Sequence, residues 1–146
     1  MAKTPRETMT EGFTQAVESV KKDLAELTHD DLDRSWGSSS RRAYDVVYEL
    51  GLINRRIAHR LRGEEPGPMP WKFGEEWLQA PEEMRDKASV AELFDATANE
   101  VLDAALESTD EPYVIEMLSF LTAHAMYHDG QLNFIQSMKG DMAVHW

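Results

Sequence analysis

Apolar side chains recur at three- and four-residue intervals almost everywhere along the chain, the spacing of helices that each bury one face. Met9, Phe13, Val17, Val20, Leu24 and Leu27 keep a single stripe through about four turns and predict a first helix. His29-Asp30-Asp31-Leu32-Asp33 interrupts that stripe. Gly37-Ser38-Ser39-Ser40 then supplies a flexible break with N-cap hydroxyls, so a second helix is expected from Ser39 or Ser40. Its inner face reads Ala43, Val46, Val47, Leu50, Ile53, Ile57 and Leu61, with Gly63 in the position of a C-terminal cap. Residues Glu64 to Lys87 hold four of the six prolines and the rings of Trp71, Phe73 and Trp77, which predicts a long connection of the kind used for lids or subunit contacts, with a short helix at Pro81 to Arg85 left open. Ser89-Val90-Ala91-Glu92 matches a capping box and opens a third helix, with Val90, Leu93, Phe94, Val101, Leu102, Ala105 and Leu106 on its apolar side. Thr109 or Asp110 caps a fourth, expected from Glu111 to Met138, with Pro112 in its first turn and Gly140 at its end.

Four helices, no alternating strand pattern and no internal repeat predict an all-α four-helix bundle occupying residues 1–146 as one domain. Composition narrows the classes further. With no cysteine among the 146 residues, disulfides, zinc ribbons, iron–sulfur clusters and thiol nucleophiles are excluded. The opening MAKTPRETMTEGF has no apolar core of a signal peptide, and no apolar run approaches the roughly 18 residues of a membrane span, so a cytoplasmic protein is expected. Twenty-seven acidic against fifteen basic residues, a formal charge of −12, repel polyphosphate and anionic lipid, and neither nucleic acid nor membrane is an expected partner. The acidity itself reads as a solvated surface.

The chemistry concentrates in the last predicted helix, at His124-Ala125-Met126-Tyr127-His128-Asp129-Gly130-Gln131-Leu132. Residues four apart lie on one helical face, their Cβ atoms about 5–6 Å apart. At roughly 100° per residue, Val114, Leu118, Ala125, Leu132 and Ile135 fall within about 60° of Leu121, and His124 and His128 fall among them. Two imidazoles turned inward together are half of a metal site. The plainer alternative is a pair of buried histidines hydrogen-bonded to polar neighbours. Gln131 borders the same face, and Gly130 leaves room for a backbone or ligand to approach. Helix two offers a third ligand in Glu49, which lies about 60° from Val46 on the flank of its apolar stripe. A carboxylate there costs several kcal/mol unless it meets a cation or metal. Its alternative is to reach outward to Arg42, Arg55 or Arg56, and Asp45, read as more exposed, is a weaker candidate ligand.

His124-x-x-x-His128-x-Gly130-Gln131-Leu132, with Asn54 and Leu61-Arg62-Gly63 closing helix two, resembles the DinB/YfiT-like metalloenzyme family over most of the chain. The resemblance implies a four-helix bundle, frequent homodimers, a nickel or zinc ion and, in some relatives, transfer or isomerisation using low-molecular-weight thiols. It implies a site of Glu49, His124 and His128 on one divalent ion with positions left for water or a small-molecule substrate. Glu49 stands where the family carries its first metal histidine, so this chain departs from the three-histidine set.

Such an ion can acidify a water, bind a thiolate or polarise a carbonyl. A helix-type zinc protease would need Glu after the first histidine, where Ala125 stands, and a di-iron bundle would need two Glu-x-x-His pairs. A serine-hydrolase elbow is also missing. The leading expectation is a metal-dependent transferase or hydrolase. Its rival is a non-catalytic bundle, without metal, that dimerises or holds an apolar ligand through its Trp-containing loop. His29 and His59 read as solvated, and His145-Trp146 as structural at best. Trp36, Trp71, Trp77 and Trp146 suit a pocket rim or an interface, while Tyr127, placed on the outer side, and Tyr113 are poor proton donors.

Overall fold

Thr4 and Thr28 each begin a helix by the same device. Both hydroxyls accept from the amide three residues on, and Glu7 and Asp31 reach back to the threonine amides, closing two capping boxes. In the computed structural model, which describes residues 2–38, 40–72 and 74–140, these caps open α1 (Pro5–Glu26) and α2 (His29–Asp33). The acidic stretch after Leu27 is therefore a short fifth helix and not only an interruption: Thr28 satisfies its free amides, and Leu32 is buried beneath it.

Then follow α3 (Ala43–Leu61), a 3-10 turn (Glu82–Met84), α4 (Lys87–Glu107) and α5 (Glu111–Met138), with no strand among the described residues, so the fold is all-α. The start of α3 lies later than Ser39 or Ser40. Ser39 is outside the described residues, the hydroxyl of Ser40 points to Ser35 and the Gly37 carbonyl, and Arg42 occupies the N-cap with no side-chain cap bond. Gly63 ends α3 with φ 74°, its amide on Arg60 O and that of Glu64 on His59 O, a Schellman closure that only a left-handed residue permits at low cost. Asp86, and not Ser89, caps α4 by accepting from the Ser89 amide, so the Ser89–Glu92 box is not formed. Asp110 caps α5 as expected.

α5 packs most extensively on α1 and then on α3, and α3 packs most extensively on α4. The inward stripes supply the core, with Phe13, Val20, Leu24, Tyr44, Leu50, Phe94, Leu118, Leu121 and Leu132 fully buried. Gly51 lets α3 approach α4, since a Cβ there would meet Leu93 Cγ at 2.9 Å. Leu106, expected on the apolar side of α4, is exposed, whereas Ala98 and Ala104 are buried.

The connection from α3 to α4 is pinned to α3 rather than free. Asp45 is buried and its Oδ1 accepts from Ala80 N at 2.7 Å, which corrects its reading as an exposed spare ligand. Arg56 Nη1 donates to the carbonyls of Pro66, Gly67 and Pro68. Trp71 consequently joins the core, whereas Trp77 stays 70% exposed. Phe73 and His145-Trp146 lie outside the described residues. No helix among those described is long and apolar enough to cross a membrane.

Candidate metal centre

Three ligand atoms from two helices meet where α3 faces α5: Glu49 Oε1, His124 Nε2 and His128 Nε2. The imidazole nitrogens are 3.2 Å apart, and Glu49 Oε1 is 3.4 Å from His124 Nε2 and 3.5 Å from His128 Nε2. The inward placement of both histidines and of Glu49 expected from the helical wheels therefore holds. Glu49 and His128 are buried, and His124 is half-buried.

Neighbouring side chains fix how each ligand presents itself. His128 Nδ1 donates to Gln131 Oε1 at 2.7 Å, which puts the proton on Nδ1 and leaves Nε2 with a free lone pair. Phe120 stacks on the His124 ring at 5.7 Å with planes 8° apart, and the Tyr127 ring meets His128 edge-on at 5.1 Å. Tyr127 thus lies against the site, although its ring is largely exposed. Arg41, just before α3, donates through Nη2 to Glu49 Oε2 at 2.5 Å and so directs the other carboxylate oxygen to the histidines. Its guanidinium also lies over the Trp77 ring at 5.1 Å. Arg41 is the partner of Glu49 in place of Arg42, Arg55 or Arg56, which instead meet Asp33, Glu100 and loop carbonyls.

Burial pushes the Glu49 carboxyl up, but a hydrogen bond from His124 and the charge and hydrogen bond of Arg41 outweigh that and hold it well below the usual carboxylate range. The converging atoms are then one carboxylate oxygen, one imidazole lone pair and His124 Nε2, which can supply at most one proton among them. His124 Nδ1 is buried and has no hydrogen-bond partner among the described residues. Hydrogen bonding within the triad is therefore short of donors, and a cation would remedy it. Four tetrahedral ligands at zinc distances of about 2.0–2.1 Å are separated by about 3.3–3.4 Å, close to the three spacings found here.

The triad opens into a pocket of about 690 Å³. Trp36 and Trp77 line it, as a rim role for tryptophans anticipated, and so do Phe120, Tyr127, Gly130 and Phe134. A Cβ on Gly130 would meet nothing within 4 Å, so no backbone closes on it. The two other described histidines stand apart from the site: His29 bonds the Tyr44 hydroxyl at 2.8 Å, and His59 pairs with Glu64. Sequence reasoning missed Arg41, which lies outside the helix that carries Glu49 and escapes any wheel. It placed Gln131 without its role, which the three-residue step from His128 signals.

Comparison with protein-family models, with curated proteins and with solved structures gives no match to this chain.

Proposed function

We propose that Glu49, His124 and His128 hold one divalent transition-metal ion, and that the protein is a metal-dependent enzyme of transferase or hydrolase type acting on a small molecule in the adjoining pocket. One observation carries the reading: three acceptor-rich ligand atoms converge at metal-ligand spacing with too few protons to satisfy one another. Two imidazoles and a carboxylate suit zinc or nickel. The arrangement fits a four-helix bundle of DinB-like type in which a carboxylate replaces one histidine, and all three ligands come from one chain.

The protein's own groups have separable parts in this. The two Nε2 atoms and Glu49 Oε1 bind, Gln131 sets the His128 tautomer, and Arg41 occupies Glu49 Oε2 so that the carboxylate ligates through one oxygen. The bound ion would supply Lewis acidity toward a water, thiol or carbonyl. A second reading, ligand binding without turnover, draws on the pocket lining: beyond the ligands, Arg41 and Tyr127, no described lining residue offers a titratable side chain.

Elemental analysis of untagged protein tests the metal. Wild type should carry close to one equivalent, and His124→Ala and His128→Ala should each lose it. Equal metal content in all three removes the proposal.

A further inference from the structure

The described residues leave six large hydrophobic side chains exposed, and four of them, Trp77, Phe120, Tyr127 and Phe134, line the pocket above the triad. Three stand on α5 at intervals of seven residues, and Trp77 faces the same space from the α3–α4 connection. Apolar surface gathered in this way, around a cavity of about 690 Å³, marks a binding site for a molecule with an apolar body. The charges specify its head. Arg41, nine-tenths buried, is committed to Glu49 and to the Trp77 ring and offsets the carboxylate. With both imidazoles neutral, the double charge of a bound divalent ion is left unmatched, and an anionic head answers it.

We propose that the pocket takes an amphipathic monoanion, its acyl or aryl body against the aromatic collar and a single carboxylate-class head at Glu49, His124 and His128. The head assignment rests on the metal reading above; the body's subsite rests on the collar alone. Each methylene withdrawn from water contributes a factor of about four in affinity, so a chain of several methylenes exceeds acetate by well over tenfold.

Calorimetric titration of the zinc-loaded full chain with octanoate, octanol and acetate tests both halves. Octanoate should bind at least about tenfold tighter than either octanol or acetate, and chelating the zinc should reduce it to the level of octanol. Phe134→Ala, a change at an exposed position, should weaken octanoate and octanol alike while leaving zinc content and acetate binding unchanged. Octanoate binding no tighter than acetate overturns the apolar subsite, and octanoate equal to octanol on loaded protein overturns the anionic head. A failure to bind octanol, together with a dimer that Phe134→Ala dissociates in sedimentation, shows the collar to be an interface and also overturns the proposal. Octanol binding that persists in a protein retaining no zinc overturns the metal reading and the head, and leaves the collar as the body's subsite.

Discussion

Helix α5 carries two buried polar clusters on its two flanks, and they have opposite chemistry. Toward α1, Asn133 Nδ2 and Gln136 Nε2 donate to the Asp23 carboxylate at 2.6 and 3.2 Å, and Asn133 also reaches Asp129. Amide donors there meet carboxylate acceptors, as a buried polar group requires to avoid a desolvation cost of about 1–3 kcal/mol. Toward α3, the triad gathers acceptors, and the proton that His128 could have contributed is spent on Gln131. Both clusters are polar residues set into apolar stripes. Gln136 Oε1 has no partner among the described residues either, so the convergence at metal-ligand spacing and the open pocket separate the site from the structural network, and burial or donor supply alone does not.

Substitution should pull the two clusters apart. His128→Ala should reduce zinc affinity by on the order of a hundredfold or more, beyond the ten- to hundredfold typical of an outer-shell partner, in competition titrations with a chelating dye. Asp23→Ala in the same assay should bind like wild type; an equal loss in both would erase the distinction. Acidification should separate them next. An imidazole must be neutral to ligate, so protons compete with the ion and zinc affinity should fall from pH 7 to pH 5; an affinity that stays level over that interval would count against imidazole ligation.

Folding stability of the zinc-free protein should stay nearly level over that same interval as far as its shifted carboxylates are concerned. Burial pushes Asp31 up, but the Lys139 ammonium and the Thr28 cap outweigh it and hold the carboxyl below its ordinary value. Glu49 is lowered likewise. Groups whose folded pKa lies below the unfolded one bind fewer protons when native, so their stabilisation is full above the unfolded value, near pH 4, and is lost as pH falls through the folded value. Denaturant midpoints should therefore fall as the pH drops below about 4, and a midpoint that stays level from there down to about pH 2 would contradict this assignment.

Gln131→Ala, which removes only the acceptor for His128 Nδ1, should weaken zinc about tenfold, with a small change in melting temperature. Asp23→Ala removes the carboxylate shared by Asn133 and Gln136, leaves them the Asp129 carboxylate and the residue-23 carbonyl, and should cost about 1 kcal/mol of stability, a few degrees of melting temperature, at constant metal content.

What the sequence made legible follows from helical periodicity. The inward face of α5 around Leu121 and that of α3 around Val46 place His124, His128 and Glu49, because all three lie within elements whose geometry is regular. Element ends read less well. Thr28 and Asp86 cap helices through local bonds that compete with neighbouring Ser and Asp candidates of nearly equal propensity. Asp45 and Arg41 were misread or missed for a different reason: their partners, Ala80 N and Glu49 Oε2, depend on the course of a connection and of a helix approach that have no period. The Asp23 network escaped too, although Gln136, about 60° from Leu121 on the wheel, sits inside the apolar face and could have signalled a buried amide.

Anomalous diffraction at the zinc edge from crystals of zinc-loaded protein tests the central geometry most directly. The account predicts a single peak within about 2.0–2.2 Å of Glu49 Oε1, His124 Nε2 and His128 Nε2, with Arg41 still on Glu49 Oε2 and Gln131 on His128 Nδ1. A map with no peak inside that triangle, the imidazoles and carboxylate remaining 3.2–3.5 Å apart as direct hydrogen-bond neighbours, would contradict it.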